Sequence, residues 1–140
     1  MNTVLAKTVE IKTAVVEFLA NPAHQLMHRQ LCEHRHGSYE ELLRNLHQLL
    51  SEKGFQPKII LARGFKGDLL DAHPAWREFA GAGNPIMHIV LRVGNLIIDI
   101  AGSQFGTGYG NTMFRRMSAF RQYWRKTEDQ TEKMLGFWKR

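Results

Sequence analysis

Cysteine is almost absent from this chain: a single residue, Cys32, in 140. That excludes an internal disulfide and leans towards a reducing compartment. Long apolar runs are also missing. None approaches the roughly 18 residues that a membrane-crossing helix needs, so no membrane span is expected. No repeat, low-complexity tract or linker divides the chain, and residues 1–140 are expected to form one domain. The opening segment, MNTVLAKTVEIKTAVVEF, lacks a small-residue cleavage site and carries Glu10 and Glu17 inside its apolar pattern. It reads as an amphipathic helix rather than a signal peptide. The expected location is the cytoplasm of the producing cell, with export by another route left open.

Hydrophobic residues make up 44% of the chain and charged residues 23%, ordinary values for a globular protein able to bury a core. The formal charge is +6, and much of the excess falls late, in Arg115, Arg116, Arg121, Arg125, Lys126, Lys139 and Arg140. Phe114, Phe120, Tyr123 and Trp124 are interleaved with these. Such a stretch can bind nucleic acid through phosphate contacts and stacking, with Arg115, Arg116, Arg121 and Trp124 as its candidate residues. The plainer reading, which we favour, has the aromatics facing the core of a terminal helix and the arginines solvated.

Apolar spacing predicts a first helix ending before Asn21-Pro22 and a second helical stretch from His24 to about Glu33. Ser38, with Glu41 three residues later, has the pattern of a capping box. Leu42, Leu43, Leu46, Leu49 and Leu50 then mark one face of a helix that stops at Gly54. Beyond it the period changes. Residues 58–63 read as a buried strand, and Pro74 to Phe79 as a short helix within a loop region. Ile86 to Val93 and Leu96 to Ile100 read as two strands joined at Gly94-Asn95, a turn that favours positive φ. Four glycines at 102, 106, 108 and 110 then mark a loop, and the remainder is expected to be helical. The fold class is α+β, with N-terminal helices packed on a small antiparallel sheet.

The hairpin permits a register argument. If Gly94 and Asn95 form the turn, Val93 faces Leu96, Asp99 faces Val90 and His88 faces Ala101. Side chains alternate along a strand, so His88 and Asp99 share a face as diagonal neighbours, with Cα atoms about 7–8 Å apart. Both interrupt otherwise apolar runs, and a buried carboxylate is costly unless paired. A carboxylate that orients a histidine is half of a nucleophilic triad. The bland alternative is a half-exposed strand with two unrelated polar residues.

The order Cys32, helix, Gly54-Phe55, strand, His88, Asp99 and then Gln104-Phe105 resembles the papain-like and transglutaminase-like superfamily of cysteine hydrolases and acyl transferases. The similarity covers roughly residues 30–106 and is a matter of pattern, most specific in HIVLRVGNLIIDIAGSQFG. It implies a papain-like fold and a triad of Cys32, His88 and Asp99 acting on amide bonds, as a peptidase, amidase or glutamine deamidase. It also implies a protein or peptide substrate and no cofactor. One departure is that Cys32 precedes Ser38 by six residues, whereas in the family the nucleophile usually opens the leucine-bearing helix. Ser38 or Tyr39 at that position would make a serine variant or an inactive relative. Gln25 and Gln30 are the upstream amides available to an oxyanion hole. By analogy with the fold, a small basic hydrolase domain could serve as a toxin or effector. The alternative is a catalytically inactive relative that binds protein or nucleic acid through its basic C-terminal stretch.

His24, His28 and Cys32 form a helical stripe of metal-ligand types. Two helical turns spread them over about 12 Å, too far to share one ion without a bend, and no metal is assigned.

Overall fold

The computed structural model describes residues 3–25, 28, 39–106, 108–109 and 112–139, and the chain divides into two compact units, residues 1–57 and 58–140. The architecture is α+β, combining helices with a five-stranded antiparallel sheet. Among the described residues no helix is long and apolar enough to cross a membrane.

In the first unit, helix α1 (Thr3–Ala20) buries Ile11, Ala14, Val15, Phe18 and Leu19. That spacing follows one face of a 3.6-residue helix. The helix stops where expected, before Asn21-Pro22. There the Asn21 side chain accepts the Ala23 N–H at 2.9 Å. Helix α2 (Tyr39–Glu52) packs against α1 and buries Leu42, Leu43, Leu46, His47 and Leu50. Glu40 and Glu41 in its first turn complement the positive helix end. At its far end the Gly54 and Phe55 N–H groups return to the carbonyls of Ser51 and Leu50. The predicted cap Ser38 lies outside the described residues, although the helix begins immediately after it. Of the stretch read as helical from His24 to Glu33, residues 24, 25 and 28 are helical and the others lie outside the described residues.

The second unit is built on strands β1 (Lys58–Phe65), β2 (Met87–Val93), β3 (Leu96–Ile98), β4 (Phe114–Arg116) and β5 (Trp124–Asp129). Their spatial order is β4-β3-β2-β1-β5, with every neighbour antiparallel. The hairpin register is the predicted one: Val93 pairs with Leu96, Arg92 with Ile97 and Leu91 with Ile98. Gly94 supplies the positive φ, at 59°. A short helix α3 (Pro74–Gly81) occupies the predicted loop position, and a single 3₁₀ turn spans Gly102–Phe105.

The last thirty residues correct the expectation of a helical remainder. They form β4, a one-turn helix α4 (Met117–Phe120), the edge strand β5 and helix α5 (Thr131–Trp138). The physical reason is pairing. Trp124 to Asp129 finds a full antiparallel partner in β1, with Trp124 opposite Phe65 and Asp129 opposite Ile60. Helical propensity is a weak prior against such tertiary pairing.

Both faces of the sheet's centre are buried. One carries Ile59, Leu91 and Ile98, each exposed by 1% or less. The other carries Ile60, Ala62, Val90 and Ile97, packed with Phe105, Tyr109, Met117, Phe120 and Trp124. His88 and Asp99 belong to this second face.

Candidate active site

His88 stands on β2 opposite Ala62 of β1, so the β1–β2 ladder, which runs from Lys58–Arg92 to Arg63–Met87, fixes its backbone. Asp99 follows the last residue of β3. The strand is shorter than the predicted 96–100, ending at Ile98, and the Asp99 N–H continues the β3–β4 ladder by donating to the Met113 carbonyl at 2.7 Å. Its side chain nonetheless reaches the predicted partner: His88 Nε2–H donates to Asp99 Oδ1 at 2.8 Å. Both side chains are buried, at 3% and 0% exposure, so neither ionic state is shielded by bulk water.

Two further donors complete the carboxylate. The Tyr109 hydroxyl donates to Asp99 Oδ2 at 2.6 Å, and the Ala101 N–H reaches Oδ1 at 3.3 Å. The Trp124 indole N–H in turn donates to the Tyr109 oxygen at 3.3 Å. Hydrogen bonds to a charged group contribute about 1.5–3 kcal/mol each, which is what makes a buried carboxylate tolerable. Burial by itself pushes the Asp99 carboxyl up. The His88 ring, the hydrogen bonds from His88 and Tyr109, and the Arg115 cation together outweigh burial and hold it below the ordinary carboxylate range. For Tyr109, burial and the adjacent Asp99 charge act together and raise the phenol far above its usual value, so it remains a donor.

The surroundings are aromatic. Trp124 lies nearly parallel to the His88 ring with centroids 5.7 Å apart, and Phe105 meets it edge-on at 4.9 Å. Trp76 of α3 stacks on Phe105 at 5.3 Å, and its indole donates to Gln104 at 3.1 Å. Gln104-Phe105 therefore holds α3 against the site. Gly102 is a close-approach position: a Cβ there would stand 2.9 Å from the Tyr109 ring and 3.2 Å from Asp99 Oδ2.

With the Nε2 hydrogen given to Asp99, Nδ1 is the basic atom of the imidazole. The pair can take up a proton at Nδ1 while the carboxylate stabilises the resulting imidazolium.

The structure thus brings His88 and Asp99 together and adds Tyr109, which the sequence reading missed. A tyrosine ten residues after a buried aspartate, within a glycine-rich loop, was the available signal. Cys32, Ser38 and Gln30 lie outside the described residues. Gln25 is exposed in the short helical segment after α1. His24, weighed above as a metal ligand, donates Nδ1–H to the Phe18 carbonyl at 2.9 Å and stacks on the Phe18 ring.

The nucleic-acid candidates separate. Arg116 and Arg121 are exposed, as are Arg125 and Lys126. Trp124 is 1% exposed, a core residue as in the favoured reading and not the stacking platform of the nucleic-acid alternative. Arg115 is corrected from a solvated phosphate contact. It is half-buried, donates to the Tyr109 carbonyl at 2.9 Å and lies 4.3 Å over the Tyr109 ring.

Compared with known proteins, the chain matches no family model, no curated protein and no solved structure.

Proposed function

We propose that this protein is a cysteine-dependent hydrolase or acyl transferase of papain-like type, acting on an amide bond of a protein or peptide. The observation that carries the reading is the buried His88–Asp99 hydrogen bond at 2.8 Å, with the carboxylate held ionised by its surroundings. The order of elements supports it: helix α2 closing at Gly54-Phe55, then β1, then the histidine strand, then the aspartate and Gln104-Phe105.

Cys32 is the proposed nucleophile. His88 Nδ1 takes the thiol proton, and the thiolate attacks the carbonyl carbon. As the tetrahedral adduct collapses, the C–N bond breaks and the imidazolium returns its proton to the leaving amine or ammonia. Water then cleaves the thioester in a peptidase, amidase or glutamine deamidase, whereas an amine cleaves it in a transferase. Asp99 keeps the hydrogen on Nε2 throughout and stabilises the imidazolium.

The test is alkylation of the single cysteine by iodoacetamide from pH 4 to 9, followed by intact mass, in wild type and His88→Ala. The expected wild-type profile has an apparent pKa well below the free-thiol value of about 8.5, rising towards it in the variant. Ordinary titration of the thiol in both proteins would overturn the reading.

A second reading is favoured by the exposure of Arg116, Arg121, Arg125 and Lys126. In it the protein is a binding module that contacts an acidic partner or nucleic acid through these cations. It expects steeply salt-dependent binding that survives Cys32→Ala and His88→Ala. Binding that is weak and insensitive to salt would sink it.

A further inference from the structure

We infer that Tyr109 is a positioning residue for the His88–Asp99 pair, acting through Asp99 and itself held in place by Arg115 and Trp124. The inference rests on the hydrolase reading for its functional meaning, but its geometry stands independently of the nucleophile.

A carboxylate beside a histidine has two equivalent oxygens and can rotate between them. Here the choice is made. Tyr109 donates to Oδ2 at 2.6 Å, leaving Oδ1 for His88 at 2.8 Å and the Ala101 N–H at 3.3 Å. Rotating the carboxylate would break donors on both oxygens.

Tyr109 is in turn restrained from several directions. The Arg115 guanidinium from β4 covers its ring at 4.3 Å and donates to its carbonyl at 2.9 Å. The Trp124 indole donates to its hydroxyl oxygen, and Tyr123 packs edge-on against the ring at 4.9 Å. The Tyr123 hydroxyl also donates to the neighbouring Gly108 carbonyl at 3.1 Å. The Gly108 N–H is taken by Asp71 at 2.6 Å, which ties this loop to the segment before α3. A merely space-filling tyrosine would not need its hydroxyl, its carbonyl and its ring face each engaged.

The titratable and charged groups facing Asp99 are His88 from β2, Tyr109 from the loop and Arg115 from β4. Asp99 and Arg115 face Tyr109 in the same way. The Tyr109 hydrogen bond is one of the influences that lower the Asp99 carboxyl. Tyr109→Phe keeps the ring and the cation stacked over it but removes the hydroxyl.

The experiment follows the Asp99 side-chain carboxyl carbon by NMR between pH 2 and 6 in protein labelled with ¹³C at aspartate Cγ, alongside cysteine alkylation. In Tyr109→Phe the Asp99 midpoint is expected to rise by about one pH unit, the scale of one hydrogen bond to a charge. The alkylation profile should shift with it. An Asp99 carbon that titrates at the same pH in a folded Phe variant overturns the assignment.

If the Phe variant loses its far-ultraviolet dichroism, 3,5-difluorotyrosine at position 109 keeps the ring and strengthens the donor. Asp99 should then stay ionised at a pH where half of the wild type is protonated, and an unmoved midpoint again overturns the assignment. The two readouts separate the claims. A shifted Asp99 with an ordinary thiol sinks the hydrolase reading alone, and a reactive thiol with an unshifted Asp99 sinks the role of Tyr109 alone.

Discussion

Among the described residues two histidines interrupt apolar faces, one in each unit, and burial acts on them in different company. His47 lies among the leucines of α2 at 9% exposure. Burial pushes its imidazole below the ordinary value of 6.5, and a hydrogen bond with the Pro57 backbone offsets this only in part. His88 is buried as deeply, at 4%, but its Nε2–H meets a carboxylate that three groups donate to. Burial of a ring selects its neutral form. Burial of a ring beside an ionised carboxylate fixes its tautomer and its orientation. The first arrangement follows from one helix, whereas the second needs two strands, a glycine-rich loop and two aromatic side chains.

The largest test of that contrast is Asp99→Ala. It strands the His88 N–H, the Tyr109 hydroxyl and the Ala101 N–H in a buried site, and should cost about 3–5 kcal/mol in urea unfolding. A loss near that of an ordinary surface substitution would mean that the carboxylate does not organise the site.

Gly106→Ala comes next. This residue has φ 94° and ψ 176°, and a Cβ there would collide with the Asp71 backbone carbonyl. That backbone region is essentially restricted to glycine, so the substitution should cost about 2–3 kcal/mol. His88 should lose its restraint in parallel, seen as broadened imidazole resonances, while the α2 amides keep their hydrogen-exchange protection. Equal loss of protection in α2 would break the contrast between a locally specified helix and a loop-built site.

The smallest effect is the pH dependence contributed by His47. Its native imidazole binds a proton less readily than the unfolded one. The unfolded chain therefore gains protons first as pH falls below 6.5, and stability declines there. In His47→Leu, the decline in unfolding free energy between pH 7.5 and 5.5 should be shallower than in wild type. Parallel curves would show that burial of this ring costs nothing.

The parts of the fold that repeat locally were legible in the sequence. The leucine spacing of α2, the stop at Gly54 and the hairpin register at Gly94-Asn95 each depend on a few neighbouring residues. The His88–Asp99 contact was legible because it follows from that register alone. Tyr109 was not, since its place depends on loop closure between Asp71 and Gly108, a contact 37 residues apart with no periodic signature. The C-terminal stretch misled for a related reason. Phe114, Phe120 and Trp124 have a spacing that a helix could bury on one side. In the structure Phe114 is half-buried on β4, Phe120 is buried on α4 and Trp124 is buried on β5, with β4 and β5 at opposite ends of the sheet order.

Trp124 also equips the protein with an optical gauge. Its indole lies 26° from parallel to the His88 ring with centroids 5.7 Å apart, so its emission senses how that ring is held. The chain holds three tryptophans, and the others are Trp76 and Trp138. With those two replaced by phenylalanine, the intrinsic fluorescence comes from the site alone and reports any rearrangement around His88, without any added dye or substrate.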